Sequence, residues 1–560
     1  MMLLRLAPAL TLLVLGAPII LGLAWTLLPA FGYFPATGGT ELTLEPWRVL
    51  FASPGFDRAL LLTLTTGIGT TVLALLAAVG FCAMTAHRPS VLRLRSALPP
   101  LLASPPSAMA LGFAFLIMPS GWLVRLVSPW ATGFDRPPIG LVTVQDPLGL
   151  SLIGGLLVKE VPYLVLMIFA ASSQVPVERT LAAARALGQR PGTAWLKAVF
   201  PQIYPQIRLP VFAVLAFSLS VVDMALILAP GNPPPLAVLA TRWFSNYDLS
   251  LYYPAAAAAS LQLVLVVLGL LAWLAIERPM AALGRRWIER GGRSQVTQGL
   301  TDTIGITTVV LGGLGLIALA GMAVWSVAAA WRFPHALPDG WQLSLWRTQG
   351  DQIGAVVGTT ALIGLATVAI AAVLTLACLE NEQRRSLRPG ATALWLLYLP
   401  LLVPQIAFLF GVQVVLIRLG LDGTIFAVVW VNLIFVLPYV FLSLADPFRA
   451  LDPRYAASAA ALGAGKWRVF LAVKLPLLTR PILVACAVGF AVSVGQYLPT
   501  LFAGTGRIAT LTTEAVTLSS GGDRRILGIY AVLQTGLPLL AYGAALWLPL
   551  LLFRRFRGLA

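Results

Sequence analysis

Residues able to do chemistry are sparse in this sequence, and their placement is informative. The two histidines, His87 and His335, lie far apart in the chain, so no His-based metal or catalytic cluster is expected. Cys82, Cys378 and Cys486 each sit in an apolar run. They have neither metal-ligand spacing nor the pattern of a disulfide framework, and read as core residues. Three charged side chains fall inside apolar stretches: Lys159, Glu160 and Asp223. Such residues are costly in lipid, usually face a protein interior or a watery cavity, and mark candidate functional positions. Lys159 and Glu160 are neighbours and point about 100° apart on a helix, so packing against adjacent helices accounts for them as well as a cavity does. Two stretches resemble nucleotide motifs only superficially. GAGKW (Gly463 to Trp467) lacks both anchors of G-x-x-x-x-G-K-[ST], since Ala460 and Trp467 stand where Gly and Ser/Thr belong. LSSGGD (Leu518 to Asp523) has no nucleotide-binding domain around it. No catalytic residue, metal or cofactor is expected.

The elements that hold these residues follow from composition. Hydrophobic residues make up 59% of 560 positions and charged residues 11%, against about 25% charged in a soluble domain; mean hydropathy is +0.88. Apolar runs of bilayer-spanning length recur along the whole chain. Windows of ~19 residues place spans near 6–31, 58–84, 97–118, 148–171, 207–230 and 253–276, then near 303–330, 353–379, 391–417, 425–445, 481–503 and 528–553. The first run exceeds the ~7–15 residues of a cleavable signal and reads as a retained helix. The net charge of +17 is scattered through short loops, which points to positive-inside bias rather than to nucleic acid. Arg5, Arg88, Arg93, Arg95, Arg384, Arg385, Arg388, Arg554, Arg555 and Arg557 share one side, so both termini are expected in the cytoplasm. The expected fold is an all-α membrane protein of about twelve transmembrane helices in two halves of six. Residues 1–280 form the first half, 281–302 a cytoplasmic linker and 303–560 the second half.

The halves read as copies in parallel orientation. Pairing Gly188 with Gly463 also pairs Leu187 with Leu462, Pro201 with Pro476, and Ile207 with Ile482. Upstream, VPYLVLMI (from Val161) pairs with LPYVFLSL (from Leu437); downstream, SVVD (Ser220 to Asp223) pairs with SVGQ (Ser493 to Gln496). The central feature is a polar loop kept in both halves, at 176–206 and 446–481. In the second copy Asp452 suits an N-cap with Pro453 at the first helical position. In each copy an Ala-rich turn or two follows, and Gly188 or Gly463 suits the left-handed stop. The expected product is a short helix of small side chains, which lets another surface approach its backbone.

These loops resemble the cytoplasmic EAA loop of permease subunits of bacterial ABC importers, E-A-A, three residues, G, nine residues, I-x-L-P. Ala182, Ala183, Ala184, Gly188 and Pro201 fit that spacing, as do Ala457, Ser458, Ala459, Gly463 and Pro476. Both copies lack the leading Glu, and Ala or Val replaces the Ile. The resemblance covers nearly the whole chain and is similar to fused permeases of the ferric-iron, thiamine and polyamine group, with GQYLPTLFAGTGRIATLTTEAVTLSSGGDRR nearest to thiamine-type permeases. It implies location in the bacterial inner membrane, two copies of a separate ATPase docked on the two loops, a periplasmic solute-binding protein and contact with membrane lipid. Asp223, its sequence-repeat partner Gln496, and Glu160 are the candidate lining of the translocation pathway. A carboxylate there favours a cationic cargo. The alternatives are an ATPase-independent secondary transporter with a duplicated six-helix repeat, and a membrane-embedded enzyme, which would need clustered acids or histidines.

Overall fold

The computed structural model describes residues 2–86, 88, 98–292, 295–387 and 391–552. The first half runs through α1 (Met2–Ala30), α2 (Phe56–Thr85), α3 (Pro106–Ile117), α4 (Leu150–Ser172), α5 (Val177–Ala186), α6 (Phe200–Ser220), α7 (Asp223–Leu228), α8 (Leu236–Phe244) and α9 (Tyr252–Glu289). The second repeats that order with α10 (Gln295–Val327), α11 (Gly350–Arg384), α12 (Gln405–Arg418), α13 (Ile425–Arg449) and α14 (Pro453–Ala461). It closes with α15 (Thr479–Val494), α16 (Leu498–Gly504), α17 (Leu511–Leu518) and α18 (Arg524–Leu552). The one sheet among the described residues is a small ribbon of β1 (Ala328–Ala330) and β2 (Gly340–Trp341). Among the described residues ten helices are long and apolar enough to cross a membrane, or up to twelve if two bent pairs each count as one span. The chain is an all-α membrane protein.

Several expected spans are broken helices. A helix at Leu98–Ala103 stops before Pro105, and α3 restarts at Pro106; likewise Ala391–Leu402 stops before Pro404, with a bend of 103° into α12. A residue before proline is pushed out of the α region, and proline has no N–H to continue the ladder. The spans expected at 207–230 and 481–503 also break, at Val221–Val222 and at Gly495–Tyr497. Each break leaves a carbonyl inside an apolar environment, where an unpaired polar group is expensive. Gln262 donates to the Leu219 carbonyl at 3.0 Å, and Thr512 donates to that of Val494. Of the segment 281–302, α9 continues to Glu289 and α10 begins at Gln295. Its Ala, Leu, Arg and Glu residues are good helix formers, which outweighs its polarity.

The two halves exchange their leading helices. α1 packs along α12 of the second half, and α10 packs along α2 and α3 of the first. Gly22 and Gly411 meet backbone to backbone: a Cβ on Gly411 would lie 1.9 Å from the Gly22 carbonyl oxygen. At the matching crossing, a Cβ on Gly112 would lie 2.8 Å from the Ala318 carbonyl oxygen. Small residues allow this approach where lipid supplies no hydrophobic drive for helix pairing. Towards the end of the bundle opposite the two loops, Phe244 of α8 stacks on Phe410 of α12 at 4.1 Å, with Phe502 of α16 edge-on at 6.1 Å. There Leu236 N–H donates to Thr63 Oγ1 (2.9 Å) and Leu511 N–H to Thr360 Oγ1 (3.0 Å), one cap in each half.

Candidate functional site: the paired loops and the helix breaks

The two loop helices end identically. In the first, Gly188 has φ +79°, its N–H donates to the Arg185 carbonyl (2.8 Å), and Gln189 N–H donates to that of Ala184 (3.1 Å). In the second, Gly463 has φ +82°, with Gly463 N–H to Ala460 at 2.9 Å and Ala464 N–H to Ala459 at 3.0 Å. This is a Schellman stop, which satisfies the last carbonyls and requires a left-handed residue. Asp452 caps α14 through the Arg454 N–H (2.9 Å), and hydrogen bonds from the Arg454 side chain and backbone hold its carboxyl below the usual range. Ala182, Ala183, Ala457, Ser458 and both glycines are exposed, while Ala184 and Ala459 are half-buried. Leu187 and Leu462, in equivalent places just before the glycines, are 71% and 88% exposed.

Each chain then makes one π-helical turn, Trp195–Val199 and Phe470–Lys474. Pro201 and Pro476 follow two residues later. A proline ring in a regular helix collides with the carbonyl four residues back. The π turn shifts that ladder, and such turns gather at functional sites. Pro201 is exposed and Pro476 half-buried.

What anchors the loops differs between halves. α5 inserts Leu181 beside Ile168 and Trp195, whereas α14 buries no residue. The first loop is tied to the segment joining the halves: Lys197 donates to the Gly292 carbonyl (2.9 Å), Gln189 to Gly291 (3.2 Å), and Gly192 N–H to Gln298 Oε1 (2.8 Å). The second is tied to the end of α11. Buried Glu380 accepts from Lys474 (2.7 Å) and Arg384 (2.6 Å), and Lys474 also donates to Gln383 Oε1 (2.6 Å). Arg384 in turn lies over the Trp467 ring at 5.0 Å. Sequence reading missed this cluster. Its only signal was a pair of acids, Glu380 and Glu382, closing an apolar run.

The intramembrane charges gather around the helix breaks. Lys159 donates to the carbonyls of Leu101 (3.4 Å), Leu102 (3.0 Å) and Ser104 (2.6 Å), and so caps the helix that stops before Pro105. It also lies in electrostatic range of Glu160 and Asp223, each 8% exposed. Asp223 does not sit within a continuous helix. It is the first residue of α7, after the break, and takes backbone N–H groups there, a favourable place for a negative charge. Gln496 lies in the matching break, its Oε1 3.5 Å from Gln405 Nε2. Its neighbour Gly495 faces Pro105 and Pro106 of the other half, where a Cβ would stand 3.6 and 3.5 Å away. Counted from the starts of α7 and α16, or of α8 and α17, Asp223 corresponds to Leu498 and Gln496 to Val221. The SVVD/SVGQ pairing is therefore two residues out of structural register. Even so, Tyr497 lies in electrostatic range of Asp223, so the two breaks adjoin across the interface between halves.

No family model matches the sequence. Over 505 residues the chain is 34% identical to the inner membrane ABC transporter permease protein YnjC of Escherichia coli (strain K12), covering 90% of each chain. That similarity extends over both halves and both loops, and marks the chain as a transport component rather than a catalytic enzyme. The chain belongs to the ABC transporter permeases of the bacterial inner membrane.

Proposed function

We propose that this chain is the permease subunit of an ATP-driven importer, and that α5 and α14 each dock one copy of a separate ATPase. The observation that carries this reading is the duplication of one exposed, rigidly stopped helix, with Leu187 and Leu462 presented in equivalent places. ATP-driven closure of the ATPase pair then rocks one half against the other, a rigid-body change of access. On this reading both loops and both termini lie in the cytoplasm, and a periplasmic binding protein delivers the solute to the opposite face. The solute is small and cationic, thiamine-like ahead of polyamine or ferric iron. Support comes from Glu160 and Asp223, whose buried carboxylates outnumber Lys159, itself engaged with three carbonyls. A carboxylate in a low-dielectric passage attracts a cation and repels an anion.

The test is uptake by the reconstituted permease, ATPase and binding protein. Asp223→Asn is expected to lower uptake of the cationic solute while ATP hydrolysis continues. Wild-type uptake by that variant returns Asp223 to capping α7, and efficient uptake of sulfate or phosphate by the native complex sinks the charge argument.

A further inference from the structure

Arg208 on α6 and Arg278 on α9 stand together at the end of the bundle that carries the two loops. With Leu274, Ala275 and Glu277 they line a cavity of about 460 Å³. Glu277 offsets the charge of Arg208 and leaves that of Arg278. Its Oε1 accepts from the Tyr204 hydroxyl (2.6 Å) and its Oε2 from Arg208 (2.9 Å), leaving the side chain 13% exposed against 44% for Arg208. Trp273 donates its indole N–H to the same tyrosine oxygen at 3.0 Å. Both carboxylate oxygens are thus engaged, Arg208 keeps N–H groups beyond its pair with Glu277, and the net positive charge the cavity offers outward is that of the exposed Arg278.

The depth of the cavity fits a headgroup. The apolar run of α9 ends at Glu277, and Tyr and Trp are enriched at the membrane–water boundary. Beyond it the same helix carries Arg285 and Arg286, with Arg290 just past its end. Beside it Ile276 and Met280 are 56% and 53% exposed, apolar surface available to glycerol and acyl carbons.

We propose that this cavity binds the phosphodiester of an anionic glycerophospholipid. Guanidinium forks suit phosphate oxygens, and basic pockets between transmembrane helices recognise acidic headgroups. A zwitterionic lipid brings an ammonium for which no free carboxylate remains here. Free phosphate gains the arginines but not the apolar flank. The inference is independent of the transport reading.

The experiment is native mass spectrometry of the full-length chain in detergent. It is titrated with dioleoylphosphatidylglycerol, dioleoylphosphatidylethanolamine and inorganic phosphate. One phosphatidylglycerol adduct is expected at about tenfold lower concentration than phosphatidylethanolamine. Arg278→Gln should weaken it severalfold, and Arg208→Gln/Arg278→Gln by about tenfold or more, with phosphatidylethanolamine unaffected. If the double variant fails to fold, Arg278→Gln decides, because Arg278 takes no part in the Glu277 hydrogen bonds. Equal affinity for the two lipids, unchanged binding in Arg278→Gln, or displacement of phosphatidylglycerol by equimolar phosphate each overturns the proposal.

Discussion

A glycine near φ +80° is the smallest unit on which the coupling reading depends. A side chain forced into that conformation costs about 1–2 kcal/mol, enough to loosen a helix end without unfolding a bundle. Gly188→Val and Gly463→Val are therefore expected to leave the permease in the membrane and ATP hydrolysis running, while uptake falls. Wild-type coupling in both variants would refute docking through these stops. Gly411→Ala should be less forgiving. Its Cβ would meet the Gly22 carbonyl at 1.9 Å, and overpacking of that kind costs about 1–3 kcal/mol or more, read as a lowered thermal midpoint in detergent. At Glu380 the arithmetic concerns charge. Removing one partner of a buried pair costs about 3–5 kcal/mol, reduced here because Arg384 remains. Lys474→Met should destabilise more than Glu380→Gln/Lys474→Met; the reverse order would show that the pair does not hold the second loop. The two stops were legible in sequence because an Ala-rich turn followed by glycine has few other uses. Glu380 was not, because its partner Lys474 lies 94 residues away and has no repeat mate to reveal it.

At the scale of elements, the helix breaks matter most. Pro105 and Pro404 announce two of them, yet hydropathy averaged over a span-length window passes through both. The breaks at Val221 and Gly495 carry no such marker, and reading α6–α7 as one helix led to the two-residue error in register. Helix starts are more legible where a cap exists. Asp146 accepts from the N–H groups of Leu148 (3.2 Å), Leu150 (2.9 Å) and Ser151 (2.8 Å) at the head of α4. Burial pushes its carboxyl up, but the Ser151 and Leu150 hydrogen bonds outweigh that and hold it below its ordinary 3.8. A depressed acid contributes fully above its unfolded pKa and loses that contribution as pH falls through the folded value. Asp146→Ala should thus cost about 1 kcal/mol, with a gap in thermal midpoint that stays constant from neutral pH down to about 4 and closes only below. A gap that closes near pH 6 would contradict this origin.

For the molecule as a whole, the parallel duplication was readable from paired loops, but the exchange of leading helices was not. Nothing in the sequence of α1 names α12 as its partner; the folded contacts do, Gly22 against Gly411, Thr26 accepting from the Gly411 N–H (3.0 Å), and Arg418 over the Trp25 ring (3.8 Å). Chains divided after Gly292 and produced together should therefore copurify as one complex, since each half holds a helix of the other. Independent migration of the two pieces would mean that the exchange contributes little. Reporter fusions after residues 290 and 560 should both report cytoplasm, and an outside signal at either overturns the orientation.

The exchange also sets an order of events during synthesis. α1 leaves the ribosome about 390 residues before Gly411, and at ~5–20 residues per second this leaves it without its partner for about 20–80 s. Through that interval lipid must stand in for α12. The surface of α1 suits the delay: it carries Leu13 and Ile20, still 62% and 66% exposed in the finished protein, and α1 bears no acidic residue. A helix that waits in lipid must be comfortable there before it is useful. Polar substitutions on its α12-facing side should accordingly lower the yield of inserted protein more than the stability of what has assembled.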